Sequence, residues 1–332
     1  MSTSGDIAIV GVAGVFPQAP DVATFWQNIL DKVDAVTERD AGSDHSDRGG
    51  FLHGLARFDS ADHGVLPRSI DGADPEHFVA LRLAREALAD AGYLDRPFPR
   101  ERTAVILGRA NYGSRGYGTL FQHAVVVDQV IRLLATLHPE HSAAELAGIE
   151  QQLRASLPPF DADTAPGLVP NVMCGRIANR LDLMGSAYVV DAACASSLVA
   201  VELAMGELLG GKADLALAGG IHVSSTVPIT VLFHRLGALS RRGAVRPFSA
   251  DADGTLLGEG AGIVVLKRRA DAERAGDRIY ALLKSVGVAS DGRAVGVLAP
   301  RVEGEELAMR RAYDTAGIPP DSVALVEAHG TG

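Results

Sequence analysis

The run Val189-Val190-Asp191-Ala192-Ala193-Cys194-Ala195-Ser196-Ser197-Leu198-Val199 constrains this chain more than any other segment. A β-branched apolar stretch leads into a short turn of small residues, and a helix-forming segment follows from Leu198 to Leu209. That order is a strand, a sharp turn and a helix, with a thiol at the turn. Backbone N–H groups at a helix N-terminus carry partial positive charge, which favours thiolate over thiol. The same groups can stabilise an oxyanion on an acyl group attached to the sulfur. Cys194 is therefore placed like a nucleophile. Taken alone, it fits a buried structural cysteine equally well, since free cysteine is among the most buried residue types.

Composition narrows the class. The 332 residues are 47% hydrophobic and 22% charged, enough apolar material for a large core in one α/β unit or two domains. With 31 basic against 41 acidic residues, the formal net charge of -10 argues against a nucleic-acid surface. Cys174 and Cys194 form no disulfide framework and lack metal-ligand spacing. The polar start Met1 to Gly5 runs straight into a strand and reads as no signal peptide. No apolar run approaches the ~20 residues of a membrane span. The expectation is a cytoplasmic protein with neither a nucleic-acid nor a membrane partner.

Strands and helices alternate along the chain. Asp6 to Ala13 reads as a buried strand closed by Gly14, and Asp21 as the cap of a helix carrying Trp26, Ile29, Leu30 and Val33. Residues 34–60 read as loop. Asp74 as N-cap, Pro75 in the first turn and Gly92 as C′ bracket a helix with Leu81, Ala84, Leu88 and Ala91 on one face. Thr103 to Leu107 is a second strand, and Asn111 to Gly118 a Gly/Tyr-rich loop. Helical stretches follow near Phe121 to Leu137, Ala143 to Leu157 and Val172 to Leu181. Ala187 to Asp191 is the strand that delivers Cys194, and Ala213 to Ala218 another. Ile263 to Lys267 and Ile279 to Val288 are predicted to form a strand pair. Glu305 to Ala316 is a helix stopped by Gly317, and Val323 to Ala328 a final strand ending on His329. The pattern predicts α/β layers with mixed sheets, one architecture used twice. Because the chain stops just after the last strand and a Gly-Thr-Gly turn, we read it as a truncated polypeptide whose second half is incomplete.

His329 lies in Val326-Glu327-Ala328-His329-Gly330-Thr331-Gly332. An imidazole at the end of a strand and ahead of a flexible turn can reach a cleft, although alone it is more often a surface or capping residue. With Cys194 it forms a candidate Cys–His constellation.

These two segments resemble the nucleophile and first-histidine motifs of β-ketoacyl synthases, and more narrowly the ketosynthase domains of type I polyketide synthases. Further segments agree in order: Ile7 to Gly11 with Phe16-Pro17, Asp74-Pro75 with Gly92-Tyr93, Ala218-Gly219-Gly220, Arg246-Pro247-Phe248, and Asp253-Gly254 through Gly258-Glu259-Gly260-Ala261-Gly262. The resemblance covers the whole chain. Gly108-Arg109 with its Tyr/Gly loop, Leu168 to Asn171, Arg176 to Leu183 and Ser290 to Arg293 resemble enediyne-type iterative synthases and their polyunsaturated-fatty-acid synthase relatives.

The resemblance implies a thiolase-like fold of two similar halves in α-β-α-β-α layers, here residues 5–268 and an incomplete 276–332. It implies an acyltransferase of polyketide or fatty acid biosynthesis. Cys194 would take an acyl group from a phosphopantetheine arm, and a malonyl thioester would then condense with it after losing carbon dioxide. His329 would hydrogen-bond the enolate oxygen, and the Cys194 N–H would form half of the oxyanion hole. The family's second histidine, its lysine and a Gly-Phe-Gly-type turn are expected beyond Gly332, so this piece alone would be inactive. None of the other histidines, His222 and His234 included, sits in a matching motif. The implied partners are an acyl carrier protein, for which Arg241-Arg242 is a candidate dock, a second copy in a homodimer, and other polyketide synthase domains. No cofactor is expected to bind directly, and no metal.

Three lookalikes take plainer readings. Gly258 to Gly262 precedes a strand where a dinucleotide loop would follow one, so it reads as a tight turn. Cys174 reads as a small core residue, and His138, Glu140, His141 and Glu145 as a solvated face rather than a metal site. Glu327 and Asp253 either tune the site or support turns. The alternatives in class are a thiolase or other cysteine-dependent acyl enzyme, and a non-catalytic ketosynthase-like piece.

Overall fold

The computed structural model describes residues 5–39, 48–110 and 113–332, and all statements below concern these. Its strands are β1 (Ile7–Val15), β2 (Thr37–Glu38), β3 (Arg48–Gly49), β4 (Thr103–Gly108), β5 (Ala187–Val190), β6 (Leu215–His222), β7 (Gly260–Arg268) and β8 (Ala281–Leu283). Its helices are α1 (Val22–Leu30), α2 (Glu76–Asp90), α3 (Arg115–Phe121), α4 (Val127–Leu137), α5 (Ala143–Ser156), α6 (Val172–Leu181), α7 (Ser196–Leu209), α8 (Val227–Arg235), α9 (Arg269–Ala275) and α10 (Val302–Ala316).

β2 and β3 make a short ribbon, and the other six strands form one mixed sheet in the order β5-β4-β6-β7-β1-β8. β4 runs parallel to both β5 and β6, so the three share a C-terminal edge. β7 lies antiparallel between β6 and β1. Side chains on a strand alternate between faces, and the two faces are packed differently. Val105 and Leu107 of β4, with Leu215 and Leu217 of β6, meet α2 and α6. Ala104, Ile106, Ala216 and Ala218 meet Ala200, Ala204 and Leu208 of α7. Alanine opposite alanine lets α7 lie close against the strands.

The helix ends follow their local chemistry. Asp21 Oδ1 accepts the Thr24 N–H at 2.7 Å and starts α1. At the end of α2, Gly92 takes a φ of +74°, and the N–H groups of Gly92 and Tyr93 close back onto Ala89 and Leu88. Leu81, Ala84, Leu88 and Ala91 are all buried, as their spacing predicts.

Several expectations need correction. Gly14 lies within β1 rather than closing it. The strands near residues 263 and 281 do not pair with each other; both flank β1, and the second shrinks to Ala281–Leu283. Val323 to Ala328 is not a strand: it has no ladder partner, and Leu325 and Val326 are exposed. A strand exists only through its neighbours, and no sheet edge lies beside this segment. The loop read over 34–60 includes the β2–β3 ribbon, while residues 40–47, like Asn111 and Tyr112, lie outside the described residues. α3 and α4, joined by a π-helical turn, make one helix over Arg115–Leu137 that is long and apolar enough, by length and composition alone, to cross a membrane. Charge sits midway along it, where Asp128 pairs with Arg154 of α5 at 2.7 Å.

Two glycines govern how deeply α7 seats. A methyl group on Gly108 would overlap the Ser196 backbone at the start of α7, and one on Gly220 would come within 2.6 Å of Ser197 Cβ. Gly108→Ala should therefore lift the first turn of α7 and cost about 1–3 kcal/mol, read as a lower urea midpoint at unchanged m-value.

Candidate active site

Cys194 stands where the shared edge of β4, β5 and β6 meets the first turn of α7. β5 ends at Val190, and the chain reverses within five residues. Ala193 adopts a left-handed φ of +50°, which costs an ordinary residue on the order of 1 kcal/mol. Several hydrogen bonds over-determine it. Asp191 Oδ1 accepts the Ala193 N–H at 3.1 Å. Ser196 Oγ accepts the Ala192 N–H at 2.9 Å and donates to the Ala193 carbonyl at 2.6 Å. The Ala195 and Ser196 N–H groups donate to the Ala192 and Ala193 carbonyls, each at 3.1 Å. The turn thus presents Cys194 exposed at its tip, two residues before α7.

Cys194 lines a cavity of about 580 Å³, the size of a small-molecule site. Most of its wall is apolar, built by Val201 of α7, Ile221 of β6, Ile229 and Phe233 of α8, and Val264 of β7. Gly260 and Gly262 also line it, against the ring of Phe16. The glycine-rich segment 258–262 is therefore part of the wall, and its last three residues already belong to β7.

Buried charge lies behind one side of the wall. Arg109, immediately after β4, is 2% exposed, and its guanidinium is held by two carboxyl groups from the start of α2. Nη2 donates to Asp74 Oδ2, and Nε lies 2.5 Å from Glu76 Oε2. Burial pushes the Glu76 carboxyl up to about 8, against the pull of Arg109 and with the repulsion of Asp74. His222, at the end of β6, lies 3.8 Å from Glu76 and also lines the cavity. Burial holds His222 below the usual histidine range, and His77 well below it. Glu259 accepts the Ser225 N–H at 2.8 Å and the Leu52 N–H at 3.0 Å, tying the loop after β6 to the approach to β7.

Of the two residues singled out from sequence, only Cys194 reaches this cavity. His329 is exposed, on an extended segment whose following glycines run past Arg246, Pro247 and Gly254, and it is absent from the cavity wall. Asp74 does more than its reading as an N-cap implies. Its Oδ1 accepts the Glu76 N–H at 3.3 Å at the start of α2, and its Oδ2 is a buried partner of Arg109. Arg109, Glu76 and His222 carried no mechanistic signal in the sequence, because the ends of three separate elements bring them together. Charge placed next to strand and helix ends was their only trace.

The remaining candidates resolve simply. Cys174 is fully buried, its thiol donates to the Tyr188 carbonyl at 3.2 Å, and burial pushes it up to about 12. Glu145 closes a capping box with Ser142, and His138 pairs with Glu140 at 3.0 Å. Asp253 accepts from the Ser240 hydroxyl at 2.7 Å and supports a turn, beside Arg242 at 3.9 Å. His234 is exposed on α8.

Residues 4–272 match the family described as Beta-ketoacyl synthase, N-terminal domain, and residues 280–332 match Beta-ketoacyl synthase, C-terminal domain. The chain is similar to Polyketide synthase PksN of Bacillus subtilis, 33% identical over 342 residues, which is 98% of this chain and 6% of that protein. It is also similar to a polyunsaturated fatty acid synthase of a Thraustochytrium species, 33% identical over 344 residues, 98% of this chain and 12% of that protein. The chain thus spans a small fraction of these relatives. Among solved structures it resembles the ketosynthase from module 6 of the bacillaene synthase of Bacillus subtilis, with a TM-score of 0.77 and 29% identity over 98% of this chain and 50% of that one. The oxazolomycin ketosynthase domain of Streptomyces albus agrees as well, with a TM-score of 0.77, 28% identity, and coverage of 98% of this chain and 55% of that one. The fold is accordingly the thiolase-like α/β arrangement that the motifs implied.

Two outcomes follow from the site. Iodoacetamide should alkylate Cys194 in the native protein and reach Cys174 only in denaturant, as peptide mass spectrometry would show. The second concerns pH. Glu76 folds with a value raised from 4.5 to about 8, so the native state binds the extra proton and stability falls as pH rises through that window. The buried histidines act oppositely, but only below their free value of 6.5. Between pH 6.5 and about 8, urea unfolding should therefore lose at most about 1.4 kcal/mol per pH unit on account of Glu76, and Glu76→Gln should flatten that slope.

Proposed function

Because this chain belongs to the β-ketoacyl synthase family, we propose that it works as the ketosynthase domain of a type I polyketide or polyunsaturated-fatty-acid synthase, with Cys194 as its acyl-carrying nucleophile. The observation that carries this is the strained turn that holds Cys194 exposed, before a helix N-terminus, on a cavity of ligand size. The two parts of the domain are residues 5–268 and 276–332.

In this proposal the Cys194 thiolate attacks the carbonyl carbon of an acyl thioester on the phosphopantetheine arm of a carrier protein. The pantetheine sulfur leaves as the thiol, taking up a proton, and the acyl group remains on Cys194. The helix N-terminus stabilises the transient oxyanion. A malonyl thioester then loses carbon dioxide, and its electron pair becomes an enolate. The enolate carbon attacks the acyl carbon, and the Cys194 thiolate leaves. His329, which stands outside the cavity wall in this structure, is the proposed donor to the enolate oxygen on the strength of its motif alone.

Other parts of the proposal rest on weaker supports. The open edge of the sheet at β5 suits a homodimer formed beside the nucleophile strand. Exposed Arg241 and Arg242 suit an acidic carrier protein, and further synthase domains would supply its substrates in the cytoplasm. The Gly108-Arg109 segment supports a place near the enediyne-type and polyunsaturated-fatty-acid synthases.

Incubating the intact protein with an acyl thioester should add one acyl mass to the Cys194 peptide, and Cys194→Ala should abolish both the adduct and condensation, the latter by a thousandfold or more on the order seen for lost nucleophiles. An adduct elsewhere, or one that survives in Cys194→Ala, refutes the assignment. His329→Ala should keep the adduct and slow condensation roughly 10²–10⁴-fold.

A further inference from the structure

The cavity beside Cys194 owes its width to one strand. Side chains two apart on a strand share a face, and on β7 that face presents Gly260, Gly262 and Val264, all of which line the cavity. A glycine inside a strand is destabilising. It marks a bulge, a sharp bend, or a place where a ligand or another backbone comes close. At Gly262 the register removes the bulge. It pairs with Gly14 of β1 and Gly220 of β6, and both ladders run through it without a shift.

Its neighbours do not require the glycine either. A Cβ on Gly14 would come within 2.7 Å of the Phe16 ring, and one on Gly260 within 3.1 Å. A Cβ on Gly262 would stand 3.5 Å from that ring and 4.0 Å from the Ala13 carbonyl oxygen, which is ordinary contact, and Gly262 takes no left-handed φ. Phe16 therefore accounts for Gly14 and Gly260 but not for Gly262. What a side chain at 262 would fill is the cavity.

Position says what passes there. β7 is antiparallel to β6, so Gly260, opposite His222, stands at the sheet edge that presents Cys194. Val264, opposite Ala218, lies about 13 Å deeper, and Gly262 is midway. Its partner Gly220 is the residue on which Ser197 of α7 rests. Val264 and Val201, more than a turn into α7, both pack on the alanine cluster under that helix. We infer that Gly262 sets how long an acyl chain Cys194 can carry: the chain passes over its bare Cα toward Val201 and Val264. This rests on the reading above that Cys194 carries an acyl group. The inner end is lined by valine, so the part of the chain that reaches it is hydrocarbon.

The test is acyl loading of the intact protein by N-acetylcysteamine thioesters of acetate, octanoate and dodecanoate, read as mass added to the Cys194 peptide. The native protein should load all three. Gly262→Val puts a branched side chain in the path and should slow octanoyl and dodecanoyl at least tenfold relative to acetyl, the scale of overpacking a filled site. Gly262→Ala should fall between. Alkylation of Cys194 by iodoacetamide, a small reagent, should stay unchanged in both variants, which separates a shortened cavity from a displaced turn. An unchanged chain-length ratio in Gly262→Val overturns the inference, as does an equal loss for acetyl and octanoyl, or a native protein that loads acetyl alone. If Gly262→Val does not fold, the same ratio in Gly262→Ala decides. Failure of every probe to load Cys194 in the native protein refutes the nucleophile assignment and this inference with it, whereas native loading with an unchanged ratio in the variant refutes this inference alone.

Discussion

The seating of α7 on the shared end of β4, β5 and β6 is the contact on which the site depends. Three parallel strands deliver their C-terminal ends to one edge, and the first turn of α7 rests directly on two of them. That approach requires glycine at Gly108 and Gly220 and alanine at Ala104, Ala216, Ala218, Ala200 and Ala204. With larger residues there, the helix would ride higher, and the chain between Val190 and Ser196 would no longer need a left-handed turn. The strain at Ala193 and the exposure of Cys194 are thus two consequences of one packing decision. A residue held in a sparsely populated conformation by five surrounding hydrogen bonds is preorganised, which agrees with the nucleophile proposed for the next position.

How much of this is legible in the sequence depends on whether a feature is local. The helix at 172–181 is readable to the residue, and β5 within one residue, because periodicity and turn chemistry are local signals. The thiol at a strand-to-helix turn is equally visible, since one short continuous run encodes it. Pairing is not local. β1 reads as a strand, but nothing in its sequence says that it separates β7 from β8, and Val323 to Ala328 has strand chemistry without a strand to pair with. Asp74 shows the same limit at a single residue. An Asp ahead of Pro and a helix is the pattern of a cap, and only the arrival of Arg109 from β4, 35 residues later, turns it into half of an ion pair.

That ion pair is hard to explain by stability. Burying one guanidinium and two carboxyl groups carries a desolvation penalty that an apolar cluster of the same volume avoids, and such ion pairs are often no better than neutral for folding. Here the penalty shows in Glu76, which burial drives toward its protonated form in spite of Arg109 at 2.5 Å. The surrounding structure is arranged to accept the cost: the Val223 N–H points at Glu76 Oε1 from 3.3 Å, and burial holds His222 beside it below the usual histidine range. A fold needing only to fill this space beneath α2 has Leu81, Leu83 and Leu88 further along the same helix. Along α2 the buried polar side chains, Glu76 and His77, are confined to the first turn, the turn packed against Arg109. The cluster sits where the ends of β4 and β6 meet the start of α2, and that junction, rather than the stability of the sheet, is what its cost serves.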